Sequence, residues 1–147
     1  MQTITDDLMG KVTTTLVITN RIDQANAEDG IIPGERVRSI TLKNVLVDTG
    51  ATTLCLPAKV ITQLGLKLLK EVDVETANGI GKARIFRDTS ISLLEREGTF
   101  ECLELLGGSS PLLGVIPLEA LGIERDLKNQ TLKLLPISPT ETYLTIL

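Results

Sequence analysis

The chain has 147 residues, a formal net charge of −4, 42% hydrophobic residues and no histidine. That length fits one domain with a modest core. The missing histidine excludes Ser-His-Asp and Cys-His catalysis and His-containing zinc sites, no basic patch marks a nucleic-acid surface, and no apolar stretch is long enough to cross a membrane as a helix. Phe86, Phe100 and Tyr143 are the only aromatic residues, so Leu, Ile and Val must build the core. Those residues suit a sheet wherever they alternate with polar ones. Cys55 and Cys102 lie in apolar surroundings and read as buried free thiols rather than a disulfide framework. The first seven residues lack the basic-then-apolar pattern of a secretory signal, which makes the cytoplasm the expected compartment.

Residues 1–10 are expected to form an N-terminal arm. Residues 11–20 (KVTTTLVITN) are dense in β-branched side chains and predict a strand. Residues 21–35, with Gly30, Pro33 and Gly34, predict a long loop, and Asp23 and Asp29 within it are expected to be solvated. Residues 36–42 alternate with period two and predict a strand, 43–44 a turn, and 45–47 a short buried strand ending at Asp48. After an extended piece at 54–56, residues 57–65 predict a short helix, because proline suits the first turn and Gly65 the C-terminal cap. Residues 71–76 and 82–86 predict a hairpin around Asn78-Gly79, with its tip at 77–81. Strands at 90–94 and 99–105 follow. The apolar run PLLGVIP (111–117) enters a turn, residues 118–122 make one or two helical turns, and 123–126 and 131–135 pair as a terminal hairpin. One domain therefore spans 11–137, followed by a tail at 138–147 that is either loosely ordered or an edge strand that takes part in a dimer interface.

The chemistry concentrates at Asp48-Thr49-Gly50, inside VLVDTGATTLCLP. A carboxylate at the end of a buried strand is costly unless hydrogen bonds satisfy it. Gly50 allows a tight turn and lets backbone amides approach the carboxylate. Thr49 and Thr52 offer hydroxyls to the same turn, and Ala51 is small enough for close packing. By itself, an aspartate followed by glycine is also a commonplace turn. The catalytic alternative needs two such carboxylates. Held a few ångströms apart they share one proton, so that one accepts a proton from water while the other donates to a carbonyl oxygen. The chain has a single Asp-Thr-Gly. The pattern of apolar strand, glycine turn and short helix is echoed around Gly114, but with no carboxylate there.

These segments resemble the retroviral-type (retropepsin-like), single-domain aspartic proteases, and especially their small bacterial relatives known from cyanobacteria. The resemblance rests on VLVDTGAT (45–52), TANG (76–79), PLLGVIPLE (111–119) and LGIERDLKNQTL (121–132). It implies an all-β fold, a closed acid-protease barrel with one or two short helices and one lobe per subunit. It implies that Asp48 activates the attacking water together with Asp48 of a second copy, that Thr49 braces the two turns against each other, and that Gly50 helps bind the substrate backbone. Ala51, Thr52 and the hairpin tip Ala77, Asn78, Gly79 and Ile80 would contact a peptide, while Leu112, Leu113 and Gly114 support the active turn from behind. The implied partners are a second copy and a peptide or protein substrate, with no nucleic acid, membrane, metal or cofactor. A homodimer supplies the second carboxylate because one turn meets itself on a two-fold axis. Two departures stand out. Thr52 and Thr53 stand where retroviral enzymes often carry an acidic residue shortly after the alanine, and Val115-Ile116-Pro117 replaces the arginine-asparagine pair of viral members. The insert at 21–35 is a possible extra wall of the cleft. The alternative is a dimeric peptide-binding or scaffold module with this fold and little turnover.

Overall fold

Nine strands, three α-helices and a 3-10 turn are formed by residues 11–107 and 110–136, the part described in the computed structural model. The expected N-terminal arm and tail fall outside the described residues. In chain order the elements are β1 (Thr13–Asn20), α1 (Arg21–Glu28), the 3-10 turn (Gly34–Arg36), β2 (Ser39–Val47), β3 (Leu54–Pro57), α2 (Ala58–Leu64), β4 (Lys67–Thr76), β5 (Gly79–Leu93), β6 (Arg96–Leu105), β7 (Leu112–Leu113), α3 (Val115–Leu121), β8 (Ile123–Asp126) and β9 (Thr131–Leu134). Among the described residues no helix is long and apolar enough to cross a membrane.

The main sheet runs β1-β2-β7-β3-β6-β5-β4, and β1 also pairs with β5. The extra pairing closes a ring, with β4 outside it on β5. Closure depends on β5 turning a corner. Its first half pairs with β4 up to Arg87, whereas Thr89 to Ser92 pair with β1. A register shift between Phe86 and Thr89 on the β6 side, with Asp88 at φ 58, makes the corner. Bulges sharpen twist and re-aim a strand in this way. Period-two alternation then sends Leu16 and Ile18 of β1, Val45 and Val47 of β2, and Ile91 and Leu93 of β5 into one core.

Several segments differ from the sequence expectation. Three short helices are present where one or two were expected, because residues 21–35 contain α1 and the 3-10 turn rather than only a loop. Asn20 caps α1 by accepting a hydrogen bond from Asp23 N–H at 3.0 Å. Asp23 is not solvated but buried. Its carboxylate accepts from Arg38 N–H at 3.0 Å and from the guanidinium at 2.8 and 3.0 Å. The helix has no apolar stripe to announce it, since Asp23 is its only buried residue. It packs on β1 and β5. It lines neither cavity beside the Asp48 turn. Lys43-Asn44 is no turn. Both residues sit opposite Thr15 as a bulge in one continuous strand, with Asn44 at φ 60. The strands expected at 82–86 and 90–94 are likewise one element, bent at the Asp88 bulge.

Other expectations match. α2 ends on Gly65 at φ 64, a left-handed cap. A side chain there would also fall on the Arg38 guanidinium, which links this cap to the Asp23 clamp. β8 and β9 form the terminal hairpin. Arg96, at the start of β6, holds it in place. The guanidinium donates to the carbonyls of Leu121 and Gly122 at 2.8 Å each and of Leu135 at 2.6 Å.

Candidate active site

The Asp48 turn begins where β2 runs out of partners. β2 pairs in parallel with β7 through Leu46–Leu112 and Val47–Leu113, and Asp48 N–H continues the ladder by donating to Leu113 O at 3.0 Å. Buried Val45 and Val47 fix the strand, so Asp48 emerges half-buried at its end. Gly50 N–H donates to Asp48 Oδ1 at 2.8 Å, and Ala51 N–H donates to the Asp48 carbonyl at 3.0 Å. A β-carbon at Gly50 would stand 3.1 Å from Asp48 Oδ1, so glycine leaves that carboxylate oxygen room. Among the described residues the Thr49 hydroxyl makes no hydrogen bond, so backbone amides, not Thr49, hold the turn. Thr49 is exposed.

The second support comes from the segment that echoed the first. Val115 N–H donates to Ala51 O at 3.0 Å and Ile116 N–H to Thr52 O at 2.9 Å. The start of α3 thus ties directly into the loop after Asp48. Gly114 makes this approach possible. A β-carbon there would lie 2.4 Å from Thr53 O and 2.6 Å from Ala51 O. Leu113 and Gly114 therefore pack directly against the segment around Asp48, with Leu112 paired to Leu46 beside them.

Cys55, on β3, is pushed up by burial and, second, by the Asp48 carboxylate. Burial raises Cys102 to about 11. Both thiols are free and buried. Burial disfavours the thiolate form of each.

Two cavities flank the turn. One, of about 430 Å³, opens beside Thr49 and is walled by Val115, Leu118, Ile123 and Leu127 with Glu119, Glu124 and Arg125 around it. The other, of about 350 Å³, opens beside Thr52 and Thr53. A carboxylate in a backbone-braced turn, between two grooves on a closed β ring, suits acid–base work on a bound chain.

Residues 29–116 match the family model described as "gag-polyprotein putative aspartyl protease". The chain belongs to this retroviral-type aspartyl protease family. Among solved structures, this family member is similar to EIAV protease complexed with the inhibitor HBY-793, at 18% identity and a TM-score of 0.50, over 76% of this chain and 88% of that one. Identity that low speaks for the fold, and the closed, mostly β ring agrees with it. Comparison with curated proteins gave no significant match.

In this retropepsin-like chain the remaining expected site residues divide. Thr52 is exposed and lines the 350 Å³ cavity. Ala77, Asn78, Gly79 and Ile80 form the hairpin tip, with Thr76 Oγ1 donating to Gly79 O at 2.7 Å, and all are exposed. None of the four lines either cavity. The hairpin instead contributes Lys70, Val72 and Ile85 from its stem, and β6 contributes Phe100 and Glu101. Sequence reading missed these five. The period-two pattern of 70–76 does place Lys70 and Val72 on one face, but which face meets the Asp48 loop depends on how the hairpin folds over.

Proposed function

We propose that the chain is an aspartic endopeptidase that hydrolyses peptide bonds in extended segments, with Asp48 of two copies forming one dyad across a homodimer. The observation that carries this reading is the Asp48 carboxylate held by Gly50 N–H at 2.8 Å, in a turn anchored from behind by Leu113. Among the described residues no second aspartate is hydrogen-bonded to or paired with Asp48, so a partner copy is its natural complement. In the dyad one carboxylate takes the proton of the attacking water. The other, protonated, donates to the scissile carbonyl oxygen, and the two titrate as a unit. Thr49 sits next to the axis and braces the two turns. Gly50, Ala51 and Thr52 offer backbone and hydroxyl groups to the substrate, and the tip at Ala77, Asn78, Gly79 and Ile80 closes over it. The exposed apolar Ile80 and the aliphatic walls favour hydrophobic side chains near the cut.

The test compares wild type with Asp48→Asn on a denatured protein mixture from pH 3 to 8, alongside sedimentation. Cleavage by wild type alone, with a specific activity that rises as dimer forms, is the expected result. Equal cleavage by both proteins would remove the reading. Dimers that cleave nothing in either form would instead point to a peptide-binding module, the reading favoured by Thr52 and Thr53 standing where retroviral enzymes often carry an acidic residue.

A further inference from the structure

The 350 Å³ cavity has a composition that the active turn does not explain. Half of its lining is apolar: Val72 and Ile85 from the hairpin stem, Phe100 from β6, and Ile116 from the start of α3. Two opposite charges, Lys70 and Glu101, share its lining. The register accounts for this. Lys70 pairs with Ile85 and Ile85 with Leu103, so Glu101, two residues before Leu103, shares their face. Among the described residues neither charge forms an ion pair; the salt bridges run elsewhere, as Arg84 with Glu104 and Lys82 with Asp73. Thr53 Oγ1 donates only to the backbone carbonyl of Glu101, at 3.1 Å, which leaves that side chain unengaged.

We propose that this cavity is a substrate side-chain subsite whose preference is set by Lys70 and Glu101, and that it selects an uncharged side chain with an apolar body and a polar tip, such as glutamine or tyrosine. The inference rests on the peptidase reading above. An ionised tip is attracted by one rim charge and repelled by the other while losing its hydration. A neutral tip that both donates and accepts satisfies the carboxylate and the ammonium together. Asp48, Thr49 and Gly50 do not line the cavity. Its occupant is therefore a residue further along the extended substrate than the two that flank the scissile bond.

The test profiles a randomised peptide library in two arms. One follows cleavage by wild type, Lys70→Glu and Glu101→Lys. The other follows equilibrium capture of the same library by Asp48→Asn proteins carrying the same two changes. Wild type is expected to favour glutamine, tyrosine and similar neutral residues at one position. Lys70→Glu, with two carboxylates on the rim, should shift that position towards lysine and arginine, and Glu101→Lys towards glutamate and aspartate. Each shift should be about fivefold, the scale of an exposed ion pair. Both substituted residues are exposed, and their opposite expected shifts make each a control for the other. Absence of cleavage by wild type counts against the peptidase reading, while the capture arm still decides the subsite. Capture profiles identical in all three proteins, or no capture by any, overturn the inference.

Discussion

Gly114 lies against Thr53 so closely that a β-carbon on it would stand 2.4 Å from the Thr53 carbonyl oxygen. Its φ of −93 is open to any residue, so close approach rather than backbone conformation demands glycine. The neighbouring bonds from Val115 and Ile116 to Ala51 and Thr52 fix the loop that follows Asp48.

Gly114→Ala should therefore force that loop away from α3. Backbone atoms cannot yield as a flexible side chain would. A loss of about 1–3 kcal/mol is expected, the usual cost of overpacking, with a larger proportional loss of activity. Urea unfolding monitored by circular dichroism measures the first, and an unchanged midpoint would contradict the packing described here.

Arg96 is expected to matter for the terminal hairpin. Its guanidinium serves three carbonyls, two of them at the C-terminal end of α3, where positive charge is favoured. Arg96→Met should cost about 1.5–3 kcal/mol, the value of a hydrogen bond to a charged group, and should speed amide exchange at Gly122 and Leu135. Arg96→Lys should restore only part of it, because an ammonium lacks the planar fork.

Acid should weaken the fold through two ion pairs. The Arg38 side-chain hydrogen bonds hold Asp23 below its ordinary value of 3.8, and those of Arg84 hold Glu104 below 4.5. A depressed folded value means that the stabilisation is present above the unfolded value and is lost as pH falls through the folded one. Stability should be flat from neutrality to about pH 4.5 and then fall. Asp23→Asn should be less stable at pH 7 and show a shallower loss between pH 4 and 2. Denaturant midpoints across that range decide it; an unaltered slope would mean that the pair is not linked to folding. Assays at low pH will meet this limit.

The two-residue β5–β6 connection offers a stabilising change. Leu94 and Glu95 both have positive φ, at 51 and 68, the signature of the hairpin turn that prefers Asn-Gly. Both are exposed. L94N combined with E95G should add about 1 kcal/mol, given a left-handed penalty of about 1–2 kcal/mol per ordinary residue. For a domain of this size that is a rise of about 3 °C in Tm. Differential scanning calorimetry checks it, and a lowered Tm would refute it.

The buried thiols should resist alkylation in the native protein. Iodoacetamide at pH 7 is expected to label Cys102 only as the fold opens, since burial raises it to about 11. Mass spectrometry with and without urea gives the answer, and rapid native labelling of Cys102 would show that the core is open.

Much of this was legible in the chain because it is local. The Asp48 turn, the α2 cap at Gly65 and the Asn78-Gly79 hairpin each depend on a few adjacent residues whose stereochemistry is known in advance. Segment 21–35 was misread for the opposite reason. Its helix is held by Asn20 at one end and by a pairing between Asp23 and Arg38, fifteen positions apart, and it has no apolar periodicity to reveal it. The bulges at Asn44 and Asp88 looked like strand ends because a positive φ resembles a turn until the partner strand is seen to continue.

The sequence alone determined that no histidine is available for acid–base chemistry, and it marked Asp48, in the single Asp-Thr-Gly, as the candidate carboxylate. Side-chain identity and one glycine turn suffice for that. Only the tertiary structure decided what surrounds the carboxylate. Gly114 reaches the loop after Asp48 because β7 lies between β2 and β3 in the sheet. Lys70, Ile85, Phe100 and Ile116 share one cavity because the ring closes through β5 and α3 docks on that loop. Those neighbours are set by strand pairing between distant segments, which alternation along a single chain leaves undetermined.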